Sequence, residues 1–88
     1  MVKIKLTQDA RYRRGEKHLH TNMGSQSLYA LNEWFEAIGV DSFGNNYEVV
    51  WAITKPDAVD LEDMCDWDFP EEVFSFSENK PISAQIIF

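Results

Sequence analysis

Ser25-Gln26-Ser27-Leu28-Tyr29-Ala30-Leu31-Asn32-Glu33-Trp34-Phe35-Glu36-Ala37-Ile38-Gly39 is the stretch on which the fold turns. Leu28, Leu31, Phe35 and Ile38 recur at three- and four-residue spacing, which would place them on one face of a helix. Trp34 flanks that stripe and Tyr29 lies off it. Ser25 or Ser27 stands where a hydroxyl can satisfy the orphan amides of a first turn. Gly39 stands where a left-handed residue would end the helix. The spacing predicts an amphipathic helix ending at Ile38.

The segments around it read as strands and connectors. Val2, Ile4 and Leu6 alternate with Lys3 and Lys5, the period of a half-buried strand. Residues 8–24 lose all periodicity and fill with Arg, Lys, His, Asn and Gly, which reads as a long exposed loop. Asp41, Ser42, Gly44, Asn45 and Asn46 supply turn chemistry after the helix. Tyr47–Ile53 is β-branched and aromatic, with Tyr47, Val49, Trp51 and Ile53 sharing a face, and reads as a central strand. Lys55-Pro56 ends it. Ala58, Leu61, Met64 and Cys65 fit one or two helical turns, with Trp67 and Phe69 as further anchors. Val73–Ser77 and Ile82–Phe88 alternate around Glu78-Asn79-Lys80-Pro81, a hairpin signature. The expected fold class is α+β, with one amphipathic helix packed on a three- or four-stranded, mostly antiparallel sheet. At 88 residues the chain reads as one small acidic domain over 1–88.

Charge is distributed unevenly. Residues 1–20 hold six of the eight Lys/Arg (Lys3, Lys5, Arg11, Arg13, Arg14, Lys17) against two acids. Residues 56–78 hold nine carboxylates and no base: Asp57, Asp60, Glu62, Asp63, Asp66, Asp68, Glu71, Glu72 and Glu78. Such a run repels itself and raises a negative field over part of the surface. Asp57, Asp60, Asp63 and Asp66 recur every third residue, a spacing that costs a few tenths of a kcal/mol per pair in a helix. Two readings compete. Either the run is a solvated surface, or it is an anionic face whose carboxylates stand where a basic groove expects phosphates. In the second reading Asp57, Asp60, Glu62, Asp63, Asp66, Asp68, Glu71 and Glu72 form the face, with Trp67 or Phe69 as a central anchor.

Arg11-Tyr12-Arg13-Arg14 with Lys17, His18 and His20 mixes cations and an aromatic, the combination that binds phosphates and stacks bases. It supports an alternative nucleic-acid-binding role for Arg11, Tyr12, Arg13, Arg14 and Lys17. The bland reading folds this arm onto the chain's own acidic run, or onto that of a second copy in a homodimer. The net charge of −7 argues against direct nucleic-acid binding by the surface as a whole.

Other chemistry finds little footing. Asp66-x-Asp68-x-Pro70 lacks the glycine of a calcium loop and puts a proline in its way. His18, His20 and Cys65 do not complete a tetrahedral zinc set. A thiolate at Cys65 among so many carboxylates would be disfavoured, the wrong direction for a nucleophile. Cys65 reads instead as a small buried apolar residue beside Met64 and Trp67. No nucleophile elbow, P-loop or dinucleotide fingerprint occurs. No enzymatic activity, metal or cofactor is expected. The lone cysteine, the alternating start at Met1–Leu6 and the lack of any run of roughly 20 apolar residues point to a cytoplasmic protein with no membrane role.

In size, acidity, aromatic content and lack of a catalytic motif, the chain resembles the small acidic proteins encoded by phages and plasmids. These include anti-restriction and anti-CRISPR inhibitors and other DNA mimics. The resemblance is one of general character and attaches to no particular residue. It implies a non-enzymatic inhibitor that occupies the basic groove of a protein partner such as a nucleic-acid enzyme.

Overall fold

The computed structural model describes residues 1–20 and 30–88. Within them the predicted helix is a strand. The elements are β1 (Val2–Leu6), β2 (Arg11–His18), β3 (Ala30–Val40), β4 (Asn46–Ala52), a single 3-10 turn at Leu61–Asp63, β5 (Glu72–Ser75), β6 (Lys80–Pro81) and β7 (Ala84–Ile87). The α+β expectation is therefore overturned. The strands form one curled, half-barrel sheet, and no α-helix occurs among the described residues. Ser25–Tyr29, the first turn of the predicted helix with its capping serines and Leu28, lies outside the described residues.

The physical reason is burial on both faces of β3. Phe35, Ala37 and Gly39 pair with Trp51, Val49 and Tyr47, while Trp34, Glu36 and Ile38 pair with Ala52, Val50 and Glu48. Adjacent Trp34 and Phe35 are both buried, one on each side of the sheet. A strand covered on both sides loses its alternation, so its apolar residues drift into a helix-like spacing. Gly39 serves the sheet in a different way from a cap. A side chain there would collide with the Ile4 side chain and crowd the Lys5 carbonyl. Its absence lets β1 lie close against β3.

The sheet order is β6-β5-β4-β3-β1-β7, with β2 also on β3. β1 and β2 share one edge of β3, running antiparallel to it from Lys5↔Val40 to His18↔Ala30. Thr7 continues this ladder by donating its amide to the Ile38 carbonyl at 2.9 Å. Residues 11–18 of the expected 8–24 loop are thus β2. Its polar side chains are exposed on both sides, which hides the strand period. The expected terminal hairpin also divides. β5 pairs with a two-residue β6 through Phe74↔Pro81 and Ser75↔Lys80, and Asn79 takes a positive φ of 55° in the turn. Ala84–Ile87 then leaves to pair in parallel with β1 at the opposite edge.

The main core joins Ile4, Phe35, Val49, Trp51, Val73 and Ile86 on one face. A smaller cluster of Leu19, Leu31, Trp34 and Val50 fills part of the other. The turn after β3 is set by Asp41, whose Oδ1 accepts the amides of Phe43 (2.9 Å) and Asn45 (3.0 Å). Its Oδ2 accepts Asn45 Nδ2 (2.9 Å) and the Tyr47 hydroxyl (2.8 Å). The Asn45 side chain leads these bonds in holding the Asp41 carboxyl down at about 2. The same contact with Asp41 pushes the Tyr47 hydroxyl up to about 12.

Candidate functional site

The link from β4 to β5 carries the acidic run. Its anchors face inward. Cys65 bridges to Ile53, and the amides of Thr54 and Lys55 both donate to the Met64 carbonyl at 2.8 and 3.1 Å. The Trp67 ring packs edge-on against Phe35 at 5.3 Å and tilted against Trp51 at 5.2 Å. Two indole bonds lock it: Trp51 Nε1 donates to the Trp67 carbonyl, and Trp67 Nε1 donates to the Glu62 carbonyl, each at 3.0 Å. Glu71 closes the link by donating its amide to the Val50 carbonyl at 2.7 Å. With Met64, Cys65 and Trp67 turned to the core, the carboxylates between them are left outside.

Asp57, Asp60, Glu62, Asp63, Asp66, Asp68 and Glu71 are all exposed. Among the described residues none of them forms an ion pair. In water each pair of such charges costs about 0.4 kcal/mol at a separation of 10 Å before salt screens it. Between them project Val59 (98% exposed), Leu61 and Phe69 (75% exposed), three large apolar side chains on an anionic surface. The expected helix over 58–65 is reduced to the turn at Leu61–Asp63. Two sequence-selected residues stand apart from this surface. Trp67 is half-buried in the core, so Phe69 is the aromatic presented to solvent. Glu72 is buried on β5, where its Oε1 meets His20 Nδ1 at 2.9 Å.

The arginines of β2 are divided between the two sides of the sheet. Arg11 and Arg13 lie opposite Glu36 and Trp34 on one side of the sheet, and Tyr12 and Arg14 lie opposite Phe35 and Glu33 on the other. Tyr12 donates its hydroxyl to Glu33, which raises its pKa. Lys17 is drawn to Glu48, Nζ to Oε1 at 2.9 Å, with both side chains about four-fifths buried. The arm therefore meets β3 and β4 carboxylates. Of the acidic run, only Glu72 receives a residue of the arm among the contacts above, through His20.

A polar constellation on the second face was not visible in the sequence. His20 stacks on Phe74 with ring centroids 4.1 Å apart while holding Glu72. Trp34 Nε1 donates to Glu36 at 2.8 Å, and Lys17 holds Glu48 nearby in the β4 ladder. These contacts tie the end of β2 and the residues after it over β4 and β5. Alternation in β4 marked Glu48 as off the main core, but nothing local marked its partner. His18 goes elsewhere, bonding the exposed Glu16 at 2.6 Å, so the two histidines do not converge. Among the described residues no three His, Cys, Asp or Glu side chains are placed to hold a metal ion. Cys65 is buried, and that burial pushes its thiol up to about 11, so it is protonated at neutral pH. Among the described residues no helix is long and apolar enough to cross a membrane.

What the fold and surface define is a small all-β domain presenting a turn-rich anionic link. Comparison with known proteins adds no family: no family model, no curated protein and no solved structure matches the chain.

Proposed function

We propose that this chain is a non-enzymatic binding protein whose β4–β5 link occupies the basic nucleic-acid groove of a protein partner. In this reading it acts in the cytoplasm as an inhibitor of the DNA-mimic kind. The observation that supports it is the link itself: seven exposed carboxylates without an ion pair among the described residues, held by the Trp51–Trp67 contacts, with Val59, Leu61 and Phe69 between them. A solvated surface needs no exposed phenylalanine. A docking face does, because apolar anchors supply affinity while charges supply steering and register.

The carboxylates take the places of backbone phosphates, and Phe69 enters an apolar recess between the partner's cations. Association is then fast and falls with salt. The test compares the chain with a variant in which Asp57, Asp60, Asp63, Asp66 and Asp68 become Asn. Both are used as bait in lysate, and the captured proteins are examined for duplex DNA binding. A DNA-binding protein held by the wild-type chain and released by the variant is the expected result. Equal capture by both would sink the proposal.

A further inference from the structure

On the second side of the sheet, Leu19, Leu31, Trp34 and Val50 cluster toward the start of β3. At the other end of β3, Lys5 of β1 stands between Val40 of β3 and Ile87 of β7. Cross-strand partners share a side, so these three side chains project together, with Lys3 and Gln85 beside them. Ile4 and Ile86 point the other way, into the main core. This corner is therefore a second, separate surface.

An open cleft of about 900 Å³ lies here, within the size range of small-molecule sites. Val40 and Ile87 line it, together with Phe43 from the turn after β3. The Asp41 side chain braces that turn by accepting the Phe43 amide, and the Phe43 ring is left 89% exposed. Lys3 and Lys5 supply the charge. Two residues apart on one strand, their Cα atoms are about 7 Å apart, a gap that two flexible stems can close around one anion. Neither lysine has an ion pair among the described residues. The acid at the cleft, Asp41, has both oxygens committed to Phe43, Asn45 and Tyr47. On a chain of net charge −7 this corner is locally cationic.

We propose that this cleft binds a small amphipathic carboxylate, an organic acid with an apolar tail. The carboxylate bridges Lys3 and Lys5, and the tail lies against Val40, Phe43 and Ile87. That division of labour is the usual one in small-molecule sites, where apolar walls give affinity and a few polar groups fix orientation. The chain's own charge selects a small ligand. A nucleic acid, an anionic membrane or a second copy meets the net charge of −7 over a wide area and is repelled. A small anion meets only what lies within the screening length of about 8 Å, and at the cleft two lysines face one committed carboxylate. The cleft shares no lining residue with the β4–β5 link, so this site is independent of the proposed docking face.

The probe is decanoate, titrated into the full chain while amide and methyl resonances are followed by NMR. Decanol carries the tail without the charge, and acetate carries the charge without the tail. Decanoate should shift Val40, Phe43 and Ile87 saturably and bind about 10-fold more tightly than decanol, as two exposed ion pairs allow. Acetate should not saturate. Lys3→Gln with Lys5→Gln should abolish the preference for decanoate and leave decanol binding unchanged, while Lys3→Arg with Lys5→Arg should keep the preference. Phe43→Ser should weaken both long ligands. All three residues are exposed, and the turn is braced through the Phe43 backbone amide, so these variants should fold. The proposal is overturned if no saturable shift occurs, if decanoate and decanol bind the wild-type chain alike, or if the shifts map away from Val40 and Ile87. Self-association of the ligand-free chain that Phe43→Ser abolishes would give the cleft to a second copy and overturn it too.

Discussion

The Ile4 side chain fills the space that a side chain on Gly39 would need, at the point where β1 lies against β3. This contact joins the N-terminal strand, and through it β7, to the centre of the sheet. Gly39→Ala should therefore destabilise the protein by about 1–3 kcal/mol, the usual cost of overpacking a closed site. Urea unfolding of the two proteins measures it.

Phe35 and Trp51 face each other across the β3–β4 ladder, and both are almost completely buried. Phe35→Ala should cost about 3–5 kcal/mol, through lost transfer energy and the cavity left behind. Val59→Ala should cost close to nothing, since Val59 is 98% exposed. Thermal unfolding of the pair distinguishes a residue of the core from one of the surface.

His20 covers Glu72, whose side chain is completely buried. His20→Ala removes both this bond to a buried carboxylate and the stack on Phe74. The expected loss is about 1–3 kcal/mol, well above that of an ordinary surface change. His18→Ala, at the exposed Glu16 pair, is the internal control and should be nearly silent.

Asp41 is held down at about 2 in the folded protein, first by Asn45 and then by Tyr47 and backbone amides. Stability from this group is complete above the unfolded carboxylate range near 4 and is lost as pH falls through about 2. The Tyr47 hydroxyl, raised to about 12, adds stability that is complete below about 10 and fades as pH rises from there to 12. Asp41→Asn should flatten both limbs of a plot of melting temperature against pH. An unchanged acid limb would show that other carboxylates govern it.

The strands legible in the sequence were those with one dry and one wet face, or with β-branched residues in series. Val2–Leu6 and the strand at 47–53, found at Asn46–Ala52, are of this kind. β3 was misread because Trp34 and Phe35 are buried on opposite sides, and β2 because Arg11, Tyr12, Arg13 and Arg14 are wet on both. The departure of Ala84–Ile87 to β1 depends on a partner at the other end of the chain, which no local pattern records. The anionic link was legible from charge alone. Which of its residues turn inward was not, because the burial of Trp67 follows from where Phe35 and Trp51 stand in three dimensions.

The most direct test of the anionic link is competition. A protein captured from lysate through the link is loaded with fluorescent duplex DNA, and the chain is titrated in while anisotropy is followed. DNA should be released by the wild-type chain, less readily as salt rises, and not by the variant with Asp57, Asp60, Asp63, Asp66 and Asp68 changed to Asn. DNA that stays bound at saturating chain, or is released equally by the variant, would contradict the account.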